Sequence, residues 1–139
     1  MESKTVNGIE YVTDVEEGIE FRLACMIRRP RETSYKEFER WTKEYLSRRY
    51  KKVLRLEDKK LDPDFMAVNP SGYFTQVKFV ECKDYKTQST LKAVLEKWKI
   101  GQKKQYEAHI KLIKEGFDYS LFIGLKHGKY IVYAKATDE

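Results

Sequence analysis

The chain has 139 residues, 28 Lys and Arg against 22 Asp and Glu, and a formal charge of +6 with a pI near 9.2. Its 41% hydrophobic and 14% aromatic content excludes a disordered chain, and its two cysteines, Cys25 and Cys82, exclude a disulfide scaffold or a Cys-rich metal site. The length suits one domain, and the basic balance favours polyanionic partners, nucleic acid ahead of an anionic membrane.

Residues 8–27, GIEYVTDVEEGIEFRLACMI, hold two β-rich stretches around Glu16-Glu17-Gly18 and predict an N-terminal β-hairpin. RRPRETS follows as a basic, turn-prone connection. Thr33 or Ser34 can cap a helix, with Glu37 three residues beyond Ser34 in capping-box spacing. Phe38, Trp41, Tyr45 and Leu46 then form an apolar stripe that carries the helix to about Arg49. VLRL at 53–56 reads as a short strand. Asp64–Val68 and Val77–Lys83 read as two more, with NPSG at 69–72 supplying turn chemistry. Ser89 or Thr90 can cap a second helix running to Gly116, with Gly101 as a break within it. YSLFIGL and YIVYAKA, parted by a turn at His127-Gly128, predict a final strand pair. The order ββ–α–βββ–α–ββ implies an α/β or α+β fold, a mixed central sheet flanked by helices.

Chemistry concentrates at the end of the Val77–Lys83 strand. Side chains alternate, so Val77, Phe79, Glu81 and Lys83 share one face, which changes from apolar to charged as the strand advances. Asp64 opposite Glu81 in an antiparallel pair sets Met66 against Phe79 and Val68 against Val77, gathering Asp64, Glu81 and Lys83 at one end. That register requires residues 69–76 as an eight-residue connection. A tight turn at NPSG instead displaces Asp64 from Glu81 by about 13 Å, unless a bulge intervenes. Two carboxylates are hard ligands of the kind Mg²⁺ or Mn²⁺ prefers, and the Cys82 carbonyl between Glu81 and Lys83 could add a third oxygen. A lysine beside them can orient water or stabilise charge on a phosphate. A Glu-x-Lys at a strand end is more often a solvated ion pair, so this reading competes with a purely structural one.

Pro63-Asp64 followed by Glu81-Cys82-Lys83 on the next strand resembles the PD-(D/E)xK nuclease superfamily. The helix holding Phe38-Glu39-Arg40 resembles the first helix of archaeal Holliday junction resolvases, and Gln102 and Gln105 lie on a later helix that precedes Gly116 and two strands. The resemblance covers about residues 34–135 as a restriction-endonuclease-like core, leaving 1–30 as a β extension of the same domain. It implies a Mg²⁺-dependent DNA endonuclease, with Mn²⁺ as a substitute metal. Asp64 and Glu81 become metal ligands, Lys83 the catalytic lysine, Glu39 an auxiliary acid, and Gln105, or else Gln102, the helical glutamine. One site in 139 residues implies a homodimer for cutting both strands. The rival function is a non-catalytic nucleic-acid-binding or nucleoprotein-assembly module that keeps the fold.

Candidate phosphate contacts come from the basic stretches: Arg28, Arg29 and Arg31 in RRPR, Arg48 in RRYKK, Lys86 beyond the motif, and Lys103 and Lys104 in KWKIGQKK. His109 and His127 are isolated and read as packing or surface residues. MESKTVNGIEY carries no secretory pattern and no apolar run approaches the roughly 18 residues of a membrane span, so a soluble, cytoplasmic protein is expected. Abundant Lys and Glu with only two Asn, Asn7 and Asn69, suit a thermophile or a virus infecting one.

Overall fold

The computed structural model describes residues 1–28, 34–56, 61–71 and 73–137, with the backbone alone at 25–28 and 71. The elements in chain order are β1 (Glu2–Val6), β2 (Ile9–Asp14), β3 (Ile19–Arg28), α1 (Tyr35–Ser47), β4 (Lys52–Arg55), β5 (Phe65–Ser71), β6 (Phe74–Asp84), α2 (Leu91–Gly101), α3 (Lys103–Lys114), β7 (Asp118–Leu125) and β8 (Gly128–Ala136). The eight strands form one mixed sheet in the order β1-β2-β3-β8-β7-β6-β5-β4. Every described pairing is antiparallel except that of β6 with β7. A parallel pair needs a crossover, and α2 and α3 provide it.

The sheet carries a core on each face. Phe38 and Leu46 of α1 pack on Phe65, Ala67, Val80, Cys82 and Phe122. On the other face Leu95 and Trp98 of α2 and Tyr106 and Ile110 of α3 cluster with Tyr119, Leu121 and Val132. Burying such side chains contributes about 1.5–3 kcal/mol each. Alternation along β6 therefore turns Val80 and Cys82 toward α1, and Phe79, Glu81 and Lys83 toward α2 and α3.

Two caps form as the sequence predicts. The Ser34 hydroxyl accepts from the Glu37 N–H at 3.2 Å, and the Thr90 hydroxyl accepts from Ala93 N–H at 3.1 Å. The predicted second helix is two helices. Its break falls at Gln102, where φ −135° and ψ 57° leave the helical region, while Gly101 ends α2. Gly116, at φ +90°, ends α3 as expected.

One prediction is extended and another corrected. The hairpin predicted over 8–27 forms as β2 paired with β3, and Asn7 (φ 50°) and Gly8 (φ 78°) extend it to a three-stranded meander through a two-residue turn that folds β1 onto β2. This meander joins β8 through β3 and extends the sheet. The eight-residue connection at 69–76 is absent. The predicted register holds, with Met66 opposite Phe79 and Val68 opposite Val77, but pairing continues through Asn69–Gln76 and Pro70–Thr75 to Ser71–Phe74. The first three residues of NPSG, Asn69, Pro70 and Ser71, are therefore strand. Pro70 is tolerated because the pairing of β5 with β4 stops at Val68–Lys52, so among the described residues no ladder partner on that side asks for its missing N–H.

Candidate active site

Asp64 stands one residue before β5, where the ladder to β6 changes character. Its carbonyl still accepts from Leu56 N–H at 3.0 Å, continuing the pairing with β4. Toward β6 the bonds run through side chains instead. The Asp64 carboxylate (Oδ2) accepts from the Cys82 N–H at 2.8 Å, and the Asp64 N–H donates to Glu81 Oε1 at 3.1 Å. Two carboxylates are thus locked reciprocally onto the parted strand ends. Glu81 is 2% exposed. Burial, then the charge of Asp64, pushes its carboxyl well above the usual carboxylate range, while Lys83 opposes the shift.

Lys83 carries three N–H donors, and each has an oxygen to meet. Its Nζ lies 3.3 Å from Glu81 Oε2 and 2.7 Å from the side-chain oxygens of both Gln102 and Gln105. Gln105 is itself fixed by Trp98, whose indole N–H donates to the same oxygen at 2.8 Å. The ammonium also sits over the Trp98 ring, 5.0 Å from its centre. The structure brings both candidate glutamines to the lysine. Gln105 is the anchored one, and Gln102, in the exposed joint between α2 and α3, lines a cleft of about 270 Å³ with Tyr35, Cys82, Lys83, Asp84 and Tyr85.

Glu39 approaches from the other face. It is 8% exposed on α1, and Arg55 of β4 reaches both its oxygens at 3.4 Å. Burial, then the charge of Asp64, raises its carboxyl, and Arg55 draws it back. One turn earlier, Tyr35 donates its hydroxyl to the Cys82 carbonyl at 3.4 Å. Cys82 itself is fully buried against α1, and burial pushes its thiol far up, so its side chain is inert.

Asp64 and Glu81 offer hard carboxylate oxygens of the kind a small divalent cation takes. The charge of Asp64 helps raise the Glu81 carboxyl, and a cation between them would relieve that repulsion. The Cys82 carbonyl is already engaged by Tyr35, a long contact that a metal would have to displace. Among the described residues no group of three or more His, Cys, Asp or Glu side chains could hold a metal ion.

The nucleic-acid candidates do not converge. Arg48 is exposed past the end of α1, Lys86 is exposed beyond β6, and Lys103 and Lys104 are exposed on α3, across the sheet from α1. Arg29, Arg31 and the Arg28 side chain lie outside the described residues. Tyr35, Arg55, Trp98 and His109 were not singled out by the motif. Tyr35 shares a helix face with Glu39 four residues on, whereas Trp98 on α2 and Gln105 on α3 meet across the break at Gln102. His109 is fully buried, its Nδ1 bonded to the Tyr119 hydroxyl, and its Nε2 has no hydrogen-bond partner among the described residues.

Comparison with protein-family models, curated proteins and solved structures finds no match to this chain. No helix among the described residues is long and apolar enough to cross a membrane.

Proposed function

We propose that the protein is a Mg²⁺-dependent DNA endonuclease of the PD-(D/E)xK type. The observation that carries this reading is the reciprocal Asp64–Glu81 lock with Lys83 fixed beside it. The element order supports it too: a helix bearing Glu39, a short strand, the Asp64 strand, the Glu81–Lys83 strand, and a helix with glutamines aimed at the lysine.

Asp64 and Glu81, with the Cys82 carbonyl, would hold the cation, which when bound supplies charge neutralisation at a phosphate and a more acidic water. The protein's own residues do the positioning. Lys83, surrounded by three oxygens, acts as a fixed cation that stabilises negative charge developing on the phosphate. An incoming phosphate oxygen must replace one of its partners, and Gln102 is the one free to yield, since Trp98 retains Gln105. Glu39, with its raised carboxyl, is suited to hold water at the edge of the site. One site per chain makes a homodimer the arrangement for cutting both strands.

The second reading, a nucleic-acid-binding module without catalysis, is favoured by one observation. Both Glu81 oxygens already have partners in the Asp64 N–H and Lys83. Incubation with labelled single-stranded, duplex and branched DNA in Mg²⁺ or Mn²⁺ separates the two. The nuclease reading expects cutting that EDTA abolishes. Salt-dependent binding with no cutting in either metal supports the module instead.

A further inference from the structure

The outer face of α1 and the turn after it hold positive charge that the proposed site does not use. Lys36, Arg40 and Lys43 follow one another at i, i+4 and i+7, so they form one row along the exposed side of the helix. The next residues, Arg48, Arg49, Lys51 and Lys52, are also exposed. None of these seven makes an ion pair among the described residues, although Glu37 and Glu44 lie on the same helix. By contrast Lys83, Lys99, Lys103 and Lys114 each meet a carboxylate.

The row borders Glu39. Lys36, Arg40, Lys43 and Arg55 line a cleft of about 600 Å³ together with Glu37, Glu39 and Phe65. From there α1 runs about 20 Å, on the order of six base-pair rises, to the basic turn. That turn is fastened to the β5–β6 hairpin: Asn69 accepts from Lys51 N–H at 2.8 Å and donates to the Arg49 carbonyl at 3.3 Å. Past Asn69 the paired strands project beyond the end of β4 and carry Tyr73, 101% exposed, and Phe74, 77% exposed. An aromatic as exposed as Tyr73, on the hairpin that Asn69 ties to cations lacking a carboxylate partner, matches a nucleic acid, whose phosphates take the charges and whose bases take the ring. A lipid surface would take the charges equally well, but it gives no reason for the row to lead into the cleft at Glu39.

We infer that Lys36, Arg40, Lys43 and the Arg48–Lys52 turn form a phosphate track leading out of the cleft, and that Tyr73 at its far end stacks on an unpaired base. This rests on the reading of the protein as acting on nucleic acid. It specifies a substrate with a single-stranded or branched segment on the order of 25 Å from the cleavage site, the length of β5 plus its turn.

Fluorescence anisotropy in EDTA, across a salt series, tests it on a blunt duplex and on the same duplex with a single-stranded fork. Lys36→Ala/Arg40→Ala/Lys43→Ala, made on an exposed helix face where Ala is a good helix former, should flatten the slope of log K against log[salt] by about 2–3 on both DNAs. Tyr73→Ala should leave the slope unchanged and reduce preference for the forked DNA about ten-fold. Lys103→Ala/Lys104→Ala should flatten the slope much less than the α1 variant. An unchanged slope in the α1 variant, an equal loss in the α3 variant, or binding to phosphatidylserine vesicles but not DNA would overturn the track. Because EDTA removes cutting, a protein that binds through the track yet never cleaves keeps this inference and loses the nuclease reading. Cleavage with an unmoved salt slope does the reverse.

Discussion

The lysine at the centre of the site depends on a tryptophan that never touches the carboxylates. Trp98 donates to Gln105, and Gln105 accepts from Lys83, so the indole N–H sets which way the amide points. Trp98→Phe keeps most of the buried ring and removes that donor. We expect kcat for DNA cleavage to fall about ten-fold, with KM and metal-free DNA affinity unchanged, which steady-state kinetics on one substrate would test. His109 supplies a second prediction at this scale. Burial, then the charge of Lys83, lowers its pKa to about 4, and the nearby Leu61–Asp62 backbone only partly offsets this. The unfolded chain therefore takes up a proton first as pH falls. Stability should be full above about pH 6.5 and decline toward pH 4, by on the order of 3 kcal/mol. Urea melts between pH 7 and 4.5 should show that loss in the wild type and a shallower one in His109→Gln.

Among the elements, the N-terminal meander is bound to the helices by one buried acid. Asp14, 2% exposed, accepts from Tyr106 at 2.7 Å and from Lys99 at 2.9 Å, and takes the Glu17 N–H at 3.2 Å. Although burial pushes its carboxyl up, the bonds from Tyr106 and Lys99 bring it below the usual range. Asp14→Ala removes the acceptor of three donors and should destabilise the protein by about 2–4 kcal/mol, read as a lower urea midpoint. The sequence carried the pairing of Met66 with Phe79 because apolar residues must face one another across a half-buried ladder. It carried the Ser34 and Thr90 caps for an equally local reason. The Asn7-Gly8 turn was also written locally, as a pair that accepts positive φ at both positions, but β1 is exposed throughout and has no apolar alternation to announce a strand. The extent of the β5–β6 hairpin was hidden because Pro70 reads as a turn unless it is known that β4 stops at Lys52. The Trp98 and Tyr35 contacts arise from helices crossing the sheet, which no local pattern encodes.

For the whole molecule, two faces of one sheet contribute to a single acidic pair, Glu39 from the α1 side and Lys83 with its glutamines from the other. Cation binding should therefore stabilise the entire fold rather than a loop. At a Mg²⁺ concentration 100 times its Kd, the gain is about 2.7 kcal/mol, visible as a raised Tm that Asp64→Asn/Glu81→Gln abolishes. The central claim is that Asp64, Glu81 and Lys83 together cut DNA, and single-turnover cleavage of a supercoiled plasmid and a forked DNA in Mg²⁺ tests it most directly. Wild-type protein should nick or cut at least one of them, and Asp64→Asn and Lys83→Met should each reduce that rate by a factor of about 10³ while still binding the DNA. Cleavage at the wild-type rate by either variant, or no cleavage by the wild type on either DNA, would contradict it.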